Sequence, residues 1–324
     1  MPHFSARTIA VMLAVSSLSV LPAAARSGGA STPATAGAAN TALPGGPAGP
    51  RKMFHIPDPY PGWKKVLFIG DIHNGAQVAH DFSVSHAMAT IEELGRKNHA
   101  FVTILRTDEE LLTKQKVWGT GKYAADGSMP FPGRNLNYFD AVVFYTNGEL
   151  QLTDEQRKAL LSFVHDDGKG FVGIHTATAT SRDWPEYGKM IGGYFDNHPW
   201  GVFNAPVVVE EPGFPAMKAF PKHFRITDEM YEYMAPYSRK DVDVLARLDQ
   251  SKLDLSNKNV HREDGDFPVA WAKMYGKGRV FYSDLGHSPA TWDNPEVQQM
   301  YLQAIRWADG SIDAPVTPHP MPEH

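Results

Sequence analysis

The fold is predicted best by residues 168–178, which have the sequence GKGFVGIHTAT. The apolar run Phe171-Val172-Gly173-Ile174 lies between a glycine turn and small polar residues, which is typical of a short buried strand. His175 follows directly. A strand that ends in G-x-X before small residues has the pattern of a nucleophile elbow, which exposes its central side chain above the sheet. Here that side chain is an imidazole, so serine- or cysteine-type acyl chemistry has no nucleophile at this position.

Further apolar runs precede this element. Buried strands are predicted at residues 66–69, 101–105 and 141–145, with a helix over residues 82–97. A second helix begins at Thr153, which forms a capping box with Gln156, and it ends at Gly168. The alternation of strands and helices predicts parallel βαβ units.

The second half of the chain is richer in strands. These are predicted at residues 207–209, 242–248, 269–274 and 279–283, and residues 275–278 join the last two as a hairpin. A final helix begins at Asn294-Pro295. The predicted fold class is therefore α/β, with a doubly wound, mostly parallel sheet and flanking helices in a flavodoxin-like three-layer sandwich.

Composition excludes several classes of function. The chain has 324 residues, of which 42% are hydrophobic and 21% charged, and its formal net charge is −5. This is a globular composition without the basic surface that nucleic acids require, so no nucleic-acid partner is expected. The absence of cysteine excludes disulfides, thiolate metal sites and cysteine nucleophiles.

The N-terminus predicts export. Residues 1–25 contain Arg7, an apolar run and a small-residue end at Ala25, which together predict a Sec-type signal peptide and a periplasmic protein without stable membrane insertion after cleavage. Residues 26–62 are rich in Ala, Gly and Pro and are predicted to be a flexible linker. The predicted folded domain spans residues 63–310, and a loose tail spans residues 311–324. A homo-oligomer is compatible with these features.

Histidines follow several of the predicted strands. His80 follows the first strand, His175 the fourth and His287 the last, while His198 lies in a glycine-rich loop. Because ligands bind at the carboxyl ends of strands in an open sheet, we expect these side chains to share one pocket. Histidine there suits proton transfer near neutral pH, or metal binding through a neutral imidazole. The alternative is that each histidine only caps a strand or supports a loop.

Carboxylates and aromatic rings accompany these histidines. Asp228 and Glu229 could act as base, orienting group or metal ligand, although Asp228 could instead cap a helix. Trp184 and Tyr231 suit the apolar face of a sugar, with a core position as the alternative. A divalent metal such as zinc is a candidate cofactor, although the sequence contains no short metal-binding motif such as H-E-x-x-H. Its candidate ligands lie on separate loops and are His80, His175, His198 and His287.

Taken in order, these motifs resemble the trehalose-utilisation (ThuA-like) family. The matching pieces are His80-Asp81-Phe82-Ser83, residues 168–178, Gly192-Gly193-x-Phe195 with His198-Pro199, Asp228-Glu229-x-Tyr231, and Leu285-Gly286-His287. The resemblance implies a class I glutamine amidotransferase-like fold. It places His175 where amidotransferases have their elbow cysteine and His287 at the later histidine, so glutaminase activity is not expected. The segment around His73 departs from the family pattern, and we therefore favour His80.

The resemblance also implies carbohydrate catabolism, often beside dehydrogenases that oxidise carbon 3 of a sugar. The main hypothesis is an exported enzyme that acts on a disaccharide or 3-keto-glycoside by hydrolysis, elimination or isomerisation, with histidine acid/base or metal-assisted chemistry. The expected catalytic residues are His175, His287 and Glu229. The expected substrate-binding residues are His80, His198, Tyr231, Trp184 and Asp228. The alternatives are a non-catalytic sugar-binding protein and a tethered interaction domain.

Overall fold

The computed structural model describes residues 58–71, 80–115, 117 and 135–322. They belong to one compact unit, Met53–His324. The strands are β1 (Lys64–Ile69), β2 (Phe101–Arg106), β3 (Ala141–Phe144), β4 (Gly170–Ile174), β5 (Tyr194–Asn197), β6 (Val202–Val209), β7 (His223–Glu229), β8 (Glu232–Met234), β9 (Asp243–Leu248), β10 (Pro268–Tyr275) and β11 (Gly278–Ser283). The helices are α1 (Asp81–Lys97), α2 (Asp154–His165), α3 (Pro185–Ile191), α4 (Pro289–Trp292) and α5 (Pro295–Ala308).

A nine-stranded sheet organises the domain in the order β2-β1-β3-β4-β11-β10-β9-β6-β7. The first five strands in this order are all parallel to one another. The remaining four extend the sheet with antiparallel pairs, while β5 and β8 form a separate two-stranded sheet. The predicted α/β class with parallel βαβ units is confirmed, and the strand-rich second half forms the antiparallel extension.

Both faces of the parallel strands are covered, which explains why their sequences are continuously apolar. In β1, Val66 and Phe68 point into one hydrophobic core, and Leu67 and Ile69 point into the other. Helices α1 and α5 contribute to the first core, and α2 and α3 contribute to the second. The sheet therefore lies between two layers of helices, as the three-layer prediction requires.

Local signals in the sequence set the helix ends. Thr153 and Gln156 form the predicted capping box at the start of α2. The Asn294 side chain accepts a hydrogen bond from the Val297 N–H at the start of α5, with Pro295 in the first turn. Among the described helices, none combines the length and the apolar character that crossing a lipid bilayer requires.

The structure corrects two expectations from the sequence. Asp228 does not cap a helix, because it lies near the end of strand β7. Residues 311–322 have no regular secondary structure, but they are not a loose tail. The Trp307 indole donates to the Ala314 carbonyl at 3.1 Å, the Arg279 guanidinium to Ile312 at 2.9 Å, and the Thr317 N–H to the Asp243 carboxylate at 2.9 Å. These bonds fix the backbone of a segment that has few apolar side chains of its own.

Several predicted features lie outside the described residues. They are the signal peptide at residues 1–25, nearly all of the linker at residues 26–62, and His73.

Candidate functional site

His175 stands at the junction between β4 and a short 3-10 turn that spans His175–Ala179. Its φ angle is 45°, a left-handed conformation that is uncommon for any residue except glycine. This sharp strand-to-helix turn has the backbone geometry that a nucleophile elbow uses to present its central residue. The His175 side chain is completely buried, so it lies beneath the site surface.

Three further side chains join His175 at the carboxyl edge of the parallel strands. His80 comes directly before α1, His287 follows β11, and Glu229 ends β7. One ligand atom from each of the four residues lies within 4.8 Å of the others. The His175 Nε2 atom is 3.5 Å from Glu229 Oε2, and the His287 Nδ1 atom is 3.3 Å from the same oxygen. We call His80, His175, Glu229 and His287 the histidine cluster.

Hydrogen bonds fix the orientation of the His175 ring. Its Nδ1 atom lies 2.7 Å from the backbone carbonyl oxygen of Asp284, which can only accept, so Nδ1 donates. Its Nε2 atom lies 2.7 Å from the Tyr231 hydroxyl, and the Tyr231 ring stacks on the imidazole. Burial alone would lower the pKa of His175, but the neighbouring carboxylates of Asp284 and Glu229 raise it to about 9. His175 is therefore an imidazolium at neutral pH.

The other members of the cluster respond to this charge. Burial would raise the pKa of Glu229, but its contacts with His175 and His287 hold it well below the ordinary range. Burial lowers the pKa of His80 to about 3, and the nearby histidines add to this effect. Neither nitrogen of His80 has a hydrogen-bond partner among the described residues. The cluster thus holds a cation, an anion and a neutral imidazole side by side.

A buried carboxylate supports the turn that carries His287. Asp228 is fully buried and accepts hydrogen bonds from the backbone N–H groups of Gly286 and Ser288 at 2.8 and 3.1 Å. Gly286 has a φ angle of 148°, which a side chain would disfavour. Its carbonyl accepts from the Tyr145 hydroxyl at 2.7 Å. The turn is therefore held by Asp228 through its N–H groups and by Tyr145 through its carbonyl.

The remaining predicted residues occupy different positions. His198 is about half exposed, and its Nδ1 atom lies 3.8 Å from Glu229 Oε1, so it stands at the rim of the cluster. Tyr231 is buried against His175. Trp184 is buried beside Tyr187 and Arg157, and no described contact joins it to the cluster.

The sequence predicts no function for two residues of the site, Asp284 and Tyr145. Asp284 is completely buried, and its side-chain Oδ2 accepts from the Tyr231 backbone N–H at 2.8 Å. It lies three residues before His287, at the end of the same predicted strand, and that position was the available signal. Tyr145 sits at the end of β3 and meets the His175 ring edge-on. The sequence places Tyr145 in the buried strand predicted at residues 141–145 and therefore in the core.

The donor set of the histidine cluster also fits a divalent transition metal. Two imidazoles and one carboxylate form a typical catalytic zinc site. The two unpartnered nitrogens of the buried His80 point to a missing partner of this kind. His80, His287 and Glu229 would be the ligands, because His175 already contacts Tyr231 and Asp284.

Comparisons with known proteins identify relatives of this architecture. The family model ThuA, described as trehalose utilisation, matches residues 71–308. A ThuA-like protein of Bacteroides uniformis shares 24% identity over 78% of this chain and 95% of its own, with a TM-score of 0.59. A ThuA-like protein of Parabacteroides merdae shares 19% identity over 77% and 90% of the two chains, with a TM-score of 0.56. At these identities the two structures show a common fold. A search of curated proteins gave no match.

Proposed function

The chain belongs to the ThuA family of trehalose utilisation, and from this premise we propose that it is an exported carbohydrate-active enzyme. Its substrate is a disaccharide or a 3-keto-glycoside, and its reaction is proton transfer at the histidine cluster. The family description supports the choice of a carbohydrate. The predicted signal peptide at residues 1–25 supports export.

One observation carries the proposal: groups with opposite pKa shifts share a single buried cluster. The pKa of His175 is raised to about 9, while that of His80 is lowered to about 3. Titratable groups whose environments push their pKa values apart are a feature of acid/base catalytic sites. A purely structural cluster of histidines would not need an ionised carboxylate beside a neutral imidazole.

The exposure of each side chain assigns its role. His175 has no exposed surface, so it acts through Glu229 and Tyr231 as a positioning residue. His287 keeps about a fifth of its side chain exposed and lies beside the Glu229 carboxylate. A proton on His287 Nδ1 faces that carboxylate, which leaves Nε2 with the lone pair for proton transfer. His287 and Glu229 are therefore the proposed catalytic residues, with His198 at the rim.

For a 3-keto-glycoside the proposed step is an elimination. The carbonyl at carbon 3 acidifies the hydrogen on carbon 2, and His287 removes it as a proton. The electron pair of that bond forms a double bond between carbons 1 and 2, while the bond from carbon 1 to the aglycone oxygen breaks. The aglycone oxygen takes a proton from an acid, for which the candidate is His198 at the rim of the cluster. Addition of water to the double bond would then complete a hydrolysis.

A metal-assisted version of this chemistry would give His287 a different role, as a metal ligand instead of the base. A divalent ion held by His80, His287 and Glu229 would polarise the sugar carbonyl. The His175 charge would then position Glu229 for the ion.

The test is turnover of 3-keto-trehalose and of unoxidised trehalose by the mature protein, followed by mass spectrometry of the products. We expect product from the wild type and a loss of about 10²–10⁴-fold in His287→Ala, as is typical for removal of a general acid/base. His165→Ala is the matched control, because that histidine is exposed at the end of α2, outside the cluster. The assay is repeated after chelation and with zinc restored.

The outcomes separate the hypotheses. Activity that survives chelation supports acid/base chemistry by the side chains alone, and activity restored only by zinc supports the metal-assisted route. Sugar binding without product on prolonged incubation would refute catalysis and favour a binding protein. Full activity in His287→Ala would refute the assignment of this residue.

A further inference from the structure

A second cluster of metal-ligating groups lies where the C-terminal segment crosses the antiparallel strands. Glu211 follows β6, Asp243 begins β9, and His319 belongs to the segment after α5. One ligand atom from each lies within 4.8 Å of the others. Strand β6 separates this group from the histidine cluster, because Val202 at its start pairs with Glu229. Eight residues of strand at 3.3 Å per residue span about 25 Å.

The tautomer of His319 directs one nitrogen into this group. Its Nδ1 atom lies 2.9 Å from the Pro320 carbonyl oxygen, which can only accept, so Nδ1 carries the hydrogen. In the neutral ring, Nε2 then bears a lone pair. A metal-binding histidine characteristically donates its other ring N–H to a backbone carbonyl in this way.

The Nε2 atom faces acceptors and makes no hydrogen bond. It lies 3.4 Å from Asp243 Oδ1 and 3.6 Å from Glu211 Oε1, beyond ordinary hydrogen-bond length. Asp243 is only 4% exposed, and its Oδ1 also lacks a hydrogen-bond partner among the described residues. A buried oxygen and a lone-pair nitrogen that point at each other without a proton leave room for a cation.

The surrounding charges do not supply that cation. Two arginines lie nearby, but both bind Glu210: Arg239 at 2.8 Å and Arg247 at 2.7 Å. The second guanidinium nitrogen of Arg239 also pairs with Asp266 at 2.8 Å. The carboxylates of Glu211 and Asp243 have no such partner among the described arginines and lysines. Burial raises the pKa of both groups, and the neighbouring carboxylates add to this effect.

The spacing of the ligand atoms matches one coordination geometry. Zinc holds nitrogen and carboxylate oxygen at about 2.0–2.2 Å in a tetrahedron, whose ligands are then about 3.3–3.6 Å apart. The distances from His319 Nε2 to the two oxygens fall in this range. Calcium and magnesium prefer six or more oxygen ligands and do not suit an imidazole.

We propose that Glu211, Asp243 and His319 form a structural binding site for a divalent transition metal of the zinc class, with water as the fourth ligand. The metal joins the C-terminal segment to β9 and to the loop after β6. The inference does not depend on the proposed function, because it concerns different residues and a different part of the sheet.

The experiment measures zinc uptake by the full mature chain, freed of metal and dialysed against Zn²⁺, with the zinc-to-protein ratio determined by elemental analysis. The variants are His319→Ala and Asp243→Asn; asparagine keeps an oxygen for the Thr317 N–H. His165→Ala is the matched control. We expect each site variant to bind one zinc per chain fewer than the wild type, and the control to bind the same number.

A second measurement, the thermal midpoint, distinguishes loss of the metal site from loss of folding. Zinc should raise the thermal midpoint of the wild type and of His165→Ala, and this shift should shrink in His319→Ala, while Ca²⁺ and Mg²⁺ should leave all midpoints unchanged. Any zinc bound by the histidine cluster is common to all proteins in the comparison and cancels. Equal zinc content in wild type and His319→Ala, or no zinc in either, would overturn the proposal and leave His319 as a protonated partner of the two carboxylates.

Discussion

The charge of His175 depends on Asp284, and the substitution Asp284→Asn tests that dependence. The Asp284 Oδ1 atom lies 3.7 Å from His175 Nδ1, and neither side chain is exposed. Asparagine keeps the size of the side chain and an oxygen that can accept from the Tyr231 backbone N–H. It removes the negative charge. We therefore expect the pKa of His175 to fall while the ring stays in place.

The distance sets the size of this fall. Two unit charges 3.7 Å apart interact by about 4.5 kcal/mol at an effective dielectric constant of about 20, which corresponds to about 3 pKa units. The pKa of His175 is about 9 in the wild type, so it should drop to about 6 in Asp284→Asn.

The same shift predicts how stability depends on pH. A folded-state pKa above the ordinary value of 6.5 means that the imidazolium stabilises the fold fully below about pH 6.5, and that this stabilisation is lost as the pH rises through about 9. The shift corresponds to about 3 kcal/mol. The unfolding free energy of the wild type should therefore decrease between pH 7 and pH 9, and Asp284→Asn should lack this decrease.

The assay combines two measurements. Histidine ring titration by NMR gives the pKa, with His175→Gln to identify the resonance, and urea unfolding at several pH values gives the stability. Asp309→Asn is the control, since Asp309 is also buried but lies beside Lys64 at the opposite edge of the parallel strands. A His175 that still titrates near pH 9 in Asp284→Asn would refute the electrostatic argument.

Three further substitutions test the support of the cluster. Tyr231→Phe removes the hydroxyl 2.7 Å from His175 Nε2 and should lower the unfolding free energy by about 1–3 kcal/mol; an unchanged urea midpoint would contradict this. Asp228→Ala leaves the backbone N–H groups of the Gly286 turn without their acceptor and should cost about 2–3 kcal/mol in urea unfolding, together with turnover; a stable and active variant would show that the turn holds itself. Glu229→Gln keeps the shape but removes the charge beside His175 and His287, so turnover should fall about 10²–10⁴-fold and the thermal midpoint at neutral pH should fall as well; wild-type turnover would exclude the proposed role.

The parallel half of the domain could be predicted from the sequence because its signals are local. The strands are uninterrupted apolar runs, and the caps at Thr153 and Asn294 use residues within one helical turn. The general rule that strand ends meet at one edge was enough to predict that His80, His175 and His287 lie together. The structure brings these three residues together and adds Glu229 to them.

Part of the antiparallel half was harder to predict because its strands do not all show a clear pattern of buried and exposed residues. Strand β7 alternates exposed and buried residues only in part, and its pairing with β6 decides where Asp228 and Glu229 lie. The order of the C-terminal segment depends on contacts that are distant in sequence. It depends on backbone bonds to groups such as Asp243, which lies 74 residues from Thr317.

The division of the histidine cluster between the two halves of the sheet has a consequence for folding. His80 and His287 are separated by about two hundred residues, and Glu229 comes from the strand at the far edge of the antiparallel extension. Contacts between residues so distant in sequence are slow to form, because chain entropy is lost before they contribute stability. Helical structure should therefore appear early during refolding, and activity should return only with the last long-range contacts. A mutation that loosens β7 would then yield a chain that has most of its secondary structure and no working site.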